Sequence, residues 1–221
     1  MKIIITDIPL KKELNAFAYT NGGKANEKNR EVIFPINSLL QSELKPNEDV
    51  KVIMLSKDDI EGNSAVNAGY FQKELNEINR DICAHIEYST ITTPFVETKD
   101  IHEKLFRDIV HKLEKGCEIY ADITYGPKSL PIILFTVLNF AEKYFDAEIK
   151  SIAYGKVDFV DDGSNTGKTK PINPALYDMT PLYYLNAITN SVDYKNSDEA
   201  LRALDTLLNI RKWEARKNTR N

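Results

Sequence analysis

Histidine, cysteine and tryptophan are scarce in this 221-residue chain, which has three, two and one of them. The two cysteines, Cys83 and Cys117, cannot build a disulfide framework or a metal site. Both flank predicted strands, and the expectation is two buried thiols in a reducing, cytoplasmic setting. His102 and His111 stand about two and a half turns apart on one predicted helix, face different sides and cannot share a metal. No histidine has a serine or cysteine partner nearby in sequence, so no catalytic triad can be argued. Long apolar runs are also missing. The longest, Leu130 to Ala141, suits a buried helix and falls short of the roughly 18 residues of a membrane span. The start, Met1 to Asp7, is too short and too soon acidic for a signal peptide and reads as a strand. No metal, cofactor or membrane partner is expected.

The net charge of −4 argues against bulk coating of DNA or RNA but leaves room for one cationic pocket. Hydrophobic residues at 42% and charged residues at 28% describe a globular chain, long enough for one α/β domain with a small appendage. Arg211, Lys212, Arg216, Lys217 and Arg220 crowd the last eleven positions and read as a solvated basic tail.

Strands are predicted at Lys2–Thr6, Val50–Ser56, Ile86–Ile91, Glu118–Ile123 and Ile149–Tyr154. Asn15–Tyr19 with Arg30–Phe34, and Val157–Val160 with Ala175–Met179, read as hairpins. Helices are predicted at Pro35–Leu44, at Asn63–Arg80 (with Val66, Tyr70, Phe71, Leu75 and Ile78 as its stripe), from a Thr98 cap through Leu113, at Pro131–Tyr144, from Thr180 to about Val192, and at Ser197–Trp213. This order implies a Rossmann-like, doubly wound, mostly parallel sheet with β-hairpin insertions and C-terminal helices. Right-handed crossovers then place the first and fourth core strands side by side. The domain is expected to span 1–192. Residues 193–221 would hold a helix and the basic tail, with no room for a full effector domain.

Several motifs tempt and fail. Gly163–Thr169 looks like a phosphate-binding P-loop, but its glycines are one residue too close, and Pro171 and Pro174 follow where a helix is needed. It reads as a hairpin tip. Arg80 and His85 match a ribonuclease spacing, but the two fall on different elements.

The richest stretch is Asp122-Ile123-Thr124-Tyr125-Gly126-Pro127-Lys128-Ser129-Leu130-Pro131. It joins the end of a strand to the start of a helix, where open α/β sheets bind anions. Thr124 can donate a hydrogen bond, Gly126 lets backbone approach, and Lys128 can neutralise a phosphate. The plain alternative is a turn whose helix is capped by Ser129. Asp122 is either a base or a loop cap accepting backbone N–H groups, the latter being expected. Asp7, after the first strand, poses the same choice.

This stretch resembles the D-x-T-H-G-x-R-S-x-P signature of CRISPR-associated Rossmann-fold (CARF) sensor domains. Thr93–Thr98, Ser151–Gly155 and Met179–Leu182 are similar to their flanking segments, and the resemblance spans roughly residues 1 to 192. It implies a cytoplasmic homodimer of type III CRISPR antiviral defence that binds a cyclic tetra- or hexa-adenylate across its two-fold axis. Ligand-binding residues would be Thr6, Asp7, Ser56, Lys57, Thr124, Tyr125, Gly126, Pro127, Lys128, Ser129 and Tyr154. Two positions depart from the signature. Tyr125 replaces its His, and Lys128 replaces its Arg, which loses the bidentate fork. Asp7 would repel phosphate unless paired, with Lys11 or Lys12 as candidates. Some relatives are slow ring nucleases, in which a ribose 2′-hydroxyl attacks the adjacent phosphate. Here Lys128 would carry the developing charge and Thr124 or Ser129 would position the ligand. The alternatives are a Rossmann-like enzyme for another nucleotide, disfavoured because no glycine follows the first strand, and a pure interaction module.

Overall fold

The structure, a computed structural model, describes residues 1–21, 30–161, 163, 169–191 and 195–206. By contacts the chain divides into two compact units, Met1–Tyr183 and Tyr184–Asn221. The first contains the sheet. Of the second, residues 184–191 and 197–206 are helical.

The strands are β1 (Lys2–Asp7), β2 (Thr20–Asn21), β3 (Asp49–Asp58), β4 (His85–Pro94), β5 (Glu118–Asp122), β6 (Glu148–Asp161) and β7 (Thr169–Asp178). The helices are α1 (Pro35–Glu43), α2 (Asn63–Asn79), α3 (Lys99–Val110), α4 (Leu130–Phe145) and α5 (Thr180–Ser191). The sheet order is β2-β7-β6-β5-β1-β3-β4. Among the described strands β6 and β7 pair antiparallel and every other pair is parallel. β1, buried along its whole length, lies parallel between β3 and β5, as continuous apolar strands covered on both faces do. From β1 the chain steps one way to β3 and β4, then crosses back to β5 and β6. Right-handed crossovers therefore put α1 and α2 on one face and α3 and α4 on the other. Phe34, Leu40, Phe71 and Leu75 pack with Ile4, Val52 and Met54 under the first pair. The second pair meets through the edge-to-face rings of Phe106 and Phe140.

Long-range contacts settle several local details. Glu74 of α2 accepts the N–H groups of Ile33 (2.6 Å) and Phe34 (3.2 Å) and the side-chain amide of Asn37 (2.8 Å). It thus caps α1, which has no cap of its own. Lys2 is buried and pairs with Glu48 at 2.8 Å, with its ammonium over the Tyr120 ring.

The structure departs from the sequence reading in places. Among the described residues the segments 15–19 and 30–34 meet through one antiparallel bridge, Phe17 to Val32, and not along a paired ladder. The fifth core strand and the next hairpin arm are one 14-residue strand, β6. Phe71 and Leu75 of the predicted α2 stripe are buried, but Val66 and Tyr70 are exposed, and Ser64, Asn67 and Ala68 are buried in their place. Cys83 is exposed and only Cys117 is buried. Cys83 occupies the left-handed turn after α2, with φ of +64°, where a side chain projects outward. Most of the P-loop-like segment, the end of the predicted helix Ser197–Trp213 and the basic tail lie outside the described residues.

Candidate functional site

All strand ends that feed loops toward α1–α4 point the same way, and a cavity of about 820 Å³ opens there. Its walls come from the segment after β1 (Asp7 to Lys11), Lys57 near the end of β3, Phe95 to Glu97 after β4, Thr124 to Pro127 after β5, and Tyr154 to Val157 on β6. Phe17, Tyr19 and Phe159 complete it. The place follows from topology. β1 has neighbours whose connections leave in opposite directions, so their loops part and leave a crevice.

Buried polar bonds hold the loops. Asn67 donates its amide to the carbonyls of Pro9 (2.7 Å) and Lys11 (2.9 Å), which fixes the segment after β1 and explains why a polar residue takes the inward side of α2. Asp122 accepts the Thr124 N–H at 2.8 Å. Thr124 Oγ1 in turn accepts the Gly155 N–H at 2.8 Å, tying the β5 loop to β6. Gly155 lies against α1, where a Cβ would stand 2.3 Å from Pro35. Gly126 has φ of +94°, and a Cβ there would stand 2.7 Å from Asp7 Oδ2. The glycine of the signature thus admits the Asp7 carboxyl against the loop backbone.

Two acids end adjacent strands, Asp7 on β1 and Asp122 on β5. Both are buried, at 5% and 1% exposure. Burial and the neighbouring Asp122 push Asp7 up to about 8, against the pull of Lys57. Burial pushes Asp122 up to about 6, with bonds from Thr124 partly offsetting it. Asp122 Oδ2 and Thr6 Oγ1 are buried without a hydrogen-bond partner among the described residues. At neutral pH Asp7 is therefore mostly uncharged, so the carboxyl on the cavity wall does not repel an anion.

Glu97 is the opposite case. Its carboxylate accepts Lys57 Nζ at 3.0 Å, His102 Nε2 at 2.9 Å and the Ser129 hydroxyl. Burial opposes the charge, but these bonds from Ser129, His102 and Lys57 hold Glu97 down at about 2.

Of the residues expected at the site, Asp7, Lys57, Thr124, Tyr125, Gly126, Pro127 and Tyr154 line the cavity. Thr6 and Ser56 are buried outside its lining, Ser56 with its hydroxyl 2.6 Å from that of Ser64. Lys128 is exposed and outside the lining. Ser129 does not cap α4; its hydroxyl goes to Glu97. Asp122 caps its loop, as expected. Tyr125 has its hydroxyl on the Ile33 carbonyl at 3.3 Å, so it offers the cavity its ring. Phe17, Tyr19, Phe95, Val96, Lys156 and Phe159 were missed as site residues. Phe95 and Val96 follow a parallel strand directly, a position the strand-end rule could have flagged.

No family model matches the chain. Over 107 residues, 48% of its length, the chain is 28% identical to the CRISPR-associated protein MJ1674 of Methanocaldococcus jannaschii. The match spans 16% of that protein's length.

Proposed function

We propose that this chain is a CRISPR-associated sensor whose cavity receives part of a cyclic oligoadenylate, the rest of the ring being held by a second copy. The observation that carries the reading is the strand-end cavity, whose volume falls within the about 300–1,000 Å³ of small-molecule sites. It combines cations (Lys11, Lys57, Lys156) with aromatic rings (Phe17, Tyr125, Tyr154). Lysines meet phosphates and rings stack on adenines. A cyclic tetra- or hexa-adenylate can carry two-fold symmetry, which matches an isologous dimer. The signature resemblance around Thr124–Ser129 and the similarity to a protein named as CRISPR-associated both support this assignment. The charge carrier is Lys57, which is buried in the cavity wall, ahead of Lys128, which is outside it. Thr124 accepts from Gly155 and its side chain bonds Asp122, so it shapes the loop that faces the ligand.

Thermal unfolding with cyclic tetra-adenylate, cyclic hexa-adenylate, ATP and NAD tests the reading, because a ligand that binds the native state raises Tm by mass action. One of the rings should raise Tm and shift the chain to a dimer in light scattering. Lys57→Met should weaken ring binding about tenfold, the loss of one charge-assisted contact, and Lys128→Ala should weaken it less. Linear products ending in 2′,3′-cyclic phosphate would add ring cleavage to binding. A Tm shift with ATP or NAD and none with either ring would replace this reading with an enzyme for an ordinary nucleotide.

A further inference from the structure

Three donors converge on one carboxylate beside the cavity, and they come from three elements: Lys57 at the end of β3, His102 on α3 and Ser129 at the start of α4. One ammonium, one ring N–H and one hydroxyl around a single oxyanion is the arrangement that binds a phosphoryl group. We propose that Lys57, His102 and Ser129 form a phosphoryl-binding site that Glu97 fills with its own carboxylate in the ligand-free protein. A ligand phosphate takes the place of that carboxylate. The site deepens the sensor reading and rests on it for the identity of the natural ligand.

The geometry supports exchange over a fixed structural bridge. Glu97 sits in the stretch between β4 and α3, which has no regular structure. Its side chain is 42% exposed, whereas that of Lys57 is 9% exposed. Its neighbours Phe95 and Val96 are exposed, at 67% and 48%, so no buried apolar side chain pins the segment at those positions. The donors, in contrast, stand on or next to regular elements: Lys57 on β3, His102 on α3 and Ser129 at the start of α4. Behind the carboxylate lies a hollow of about 10 Å³, lined by Asp7, Lys57, Glu97, His102, Pro127 and Ser129 among others. That is too small for a phosphate. The group can enter only where the carboxylate now stands. Asp7, Lys57, Glu97 and Pro127 also line the main cavity, so moving Glu97 aside extends that cavity toward His102. Glu97 stays anionic across the physiological range, which makes it a charge-matched stand-in.

The probe is inorganic pyrophosphate, which carries neither adenine nor ring. Calorimetric titration would compare the wild type, Glu97→Gln, and Glu97→Gln combined with both His102→Ala and Ser129→Ala, with thermal unfolding of each to verify folding. Glu97→Gln should bind pyrophosphate about tenfold more tightly once the internal competitor is neutral. The triple variant should lose most of that gain. In the Glu97→Gln protein, pyrophosphate should also shift the His102 imidazole nitrogen resonance. Equal affinity in wild type and Glu97→Gln overturns the proposal, and so does a gain that survives loss of both His102 and Ser129. Tighter pyrophosphate binding by Glu97→Gln, with no binding of either cyclic oligoadenylate by the wild type, upholds the phosphoryl site and refutes the sensor reading.

Discussion

Replacing Asp7 by asparagine should stabilise the protein at neutral pH and leave it nearly unchanged near pH 4. Burial beside Asp122 raises Asp7 from 3.8 to about 8. Between those values the folded chain holds a proton that the unfolded chain has released. Unfolding free energy therefore falls as pH rises, by about 1.36 kcal/mol per unit, until Asp7 ionises in the folded state as well. From 3.8 to 7 the cost reaches about 4 kcal/mol at most. Asparagine has the same shape and no charge, so it removes this cost. A chain of this size gains about 2–4 °C in Tm per kcal/mol, so the variant should melt several degrees higher at pH 7. The assay is urea unfolding followed by circular dichroism at pH 4, 5, 6, 7 and 8, with wild type and variant side by side. The stability difference should be near zero at pH 4, widen steadily to pH 7 and level off near pH 8. A difference that does not change with pH would refute the reasoning, because it would place the effect in packing rather than ionisation.

Gly155→Ala forces a Cβ to within 2.3 Å of Pro35, and should cost about 1–3 kcal/mol in urea unfolding while loosening the Thr124 bond that shapes the cavity wall. Asn67→Ala removes the donors to the Pro9 and Lys11 carbonyls. It should cost about 1–3 kcal/mol and speed amide hydrogen exchange in residues 8–12, with little change in exchange along β6.

The core of the fold was legible because its signals are local. Val50–Ser56 reads as a strand buried on both faces, and α3 carries its stripe at plain helical spacing. The alternation of strand and helix, with the handedness rule, was enough to put β1 beside β5. What escaped was decided at long range. Asn67 faces inward because a loop far away in sequence needs its amide, and this turns Val66 and Tyr70 outward. Ser129 sits where a helix cap is expected, but its hydroxyl goes to Glu97, 32 residues away. The motif drew attention to Lys128 because it lies in the loop. The cation buried in the cavity wall is Lys57, at the end of another strand; the resemblance named it as well, but its burial and its pairing with Glu97 show only in the fold. The run from Ile149 to Val160 read as a core strand and a separate hairpin arm, divided at Gly155. In the structure that glycine stays in register within β6 and makes room for Pro35.

The turn that leaves Cys83 exposed while Cys117 stays buried gives the chain a chemically addressable handle. A maleimide dye should couple at Cys83 in the native protein and spare Cys117. Cys83 lies just before β4, and Phe95 at the cavity follows it; Ala84 and the ten extended residues of β4 separate them, about 30 Å of strand. The fluorophore would ride on the opposite rim of the sheet from the cavity. If two copies close around a ring as proposed, the dye would report it without standing in the ligand's way.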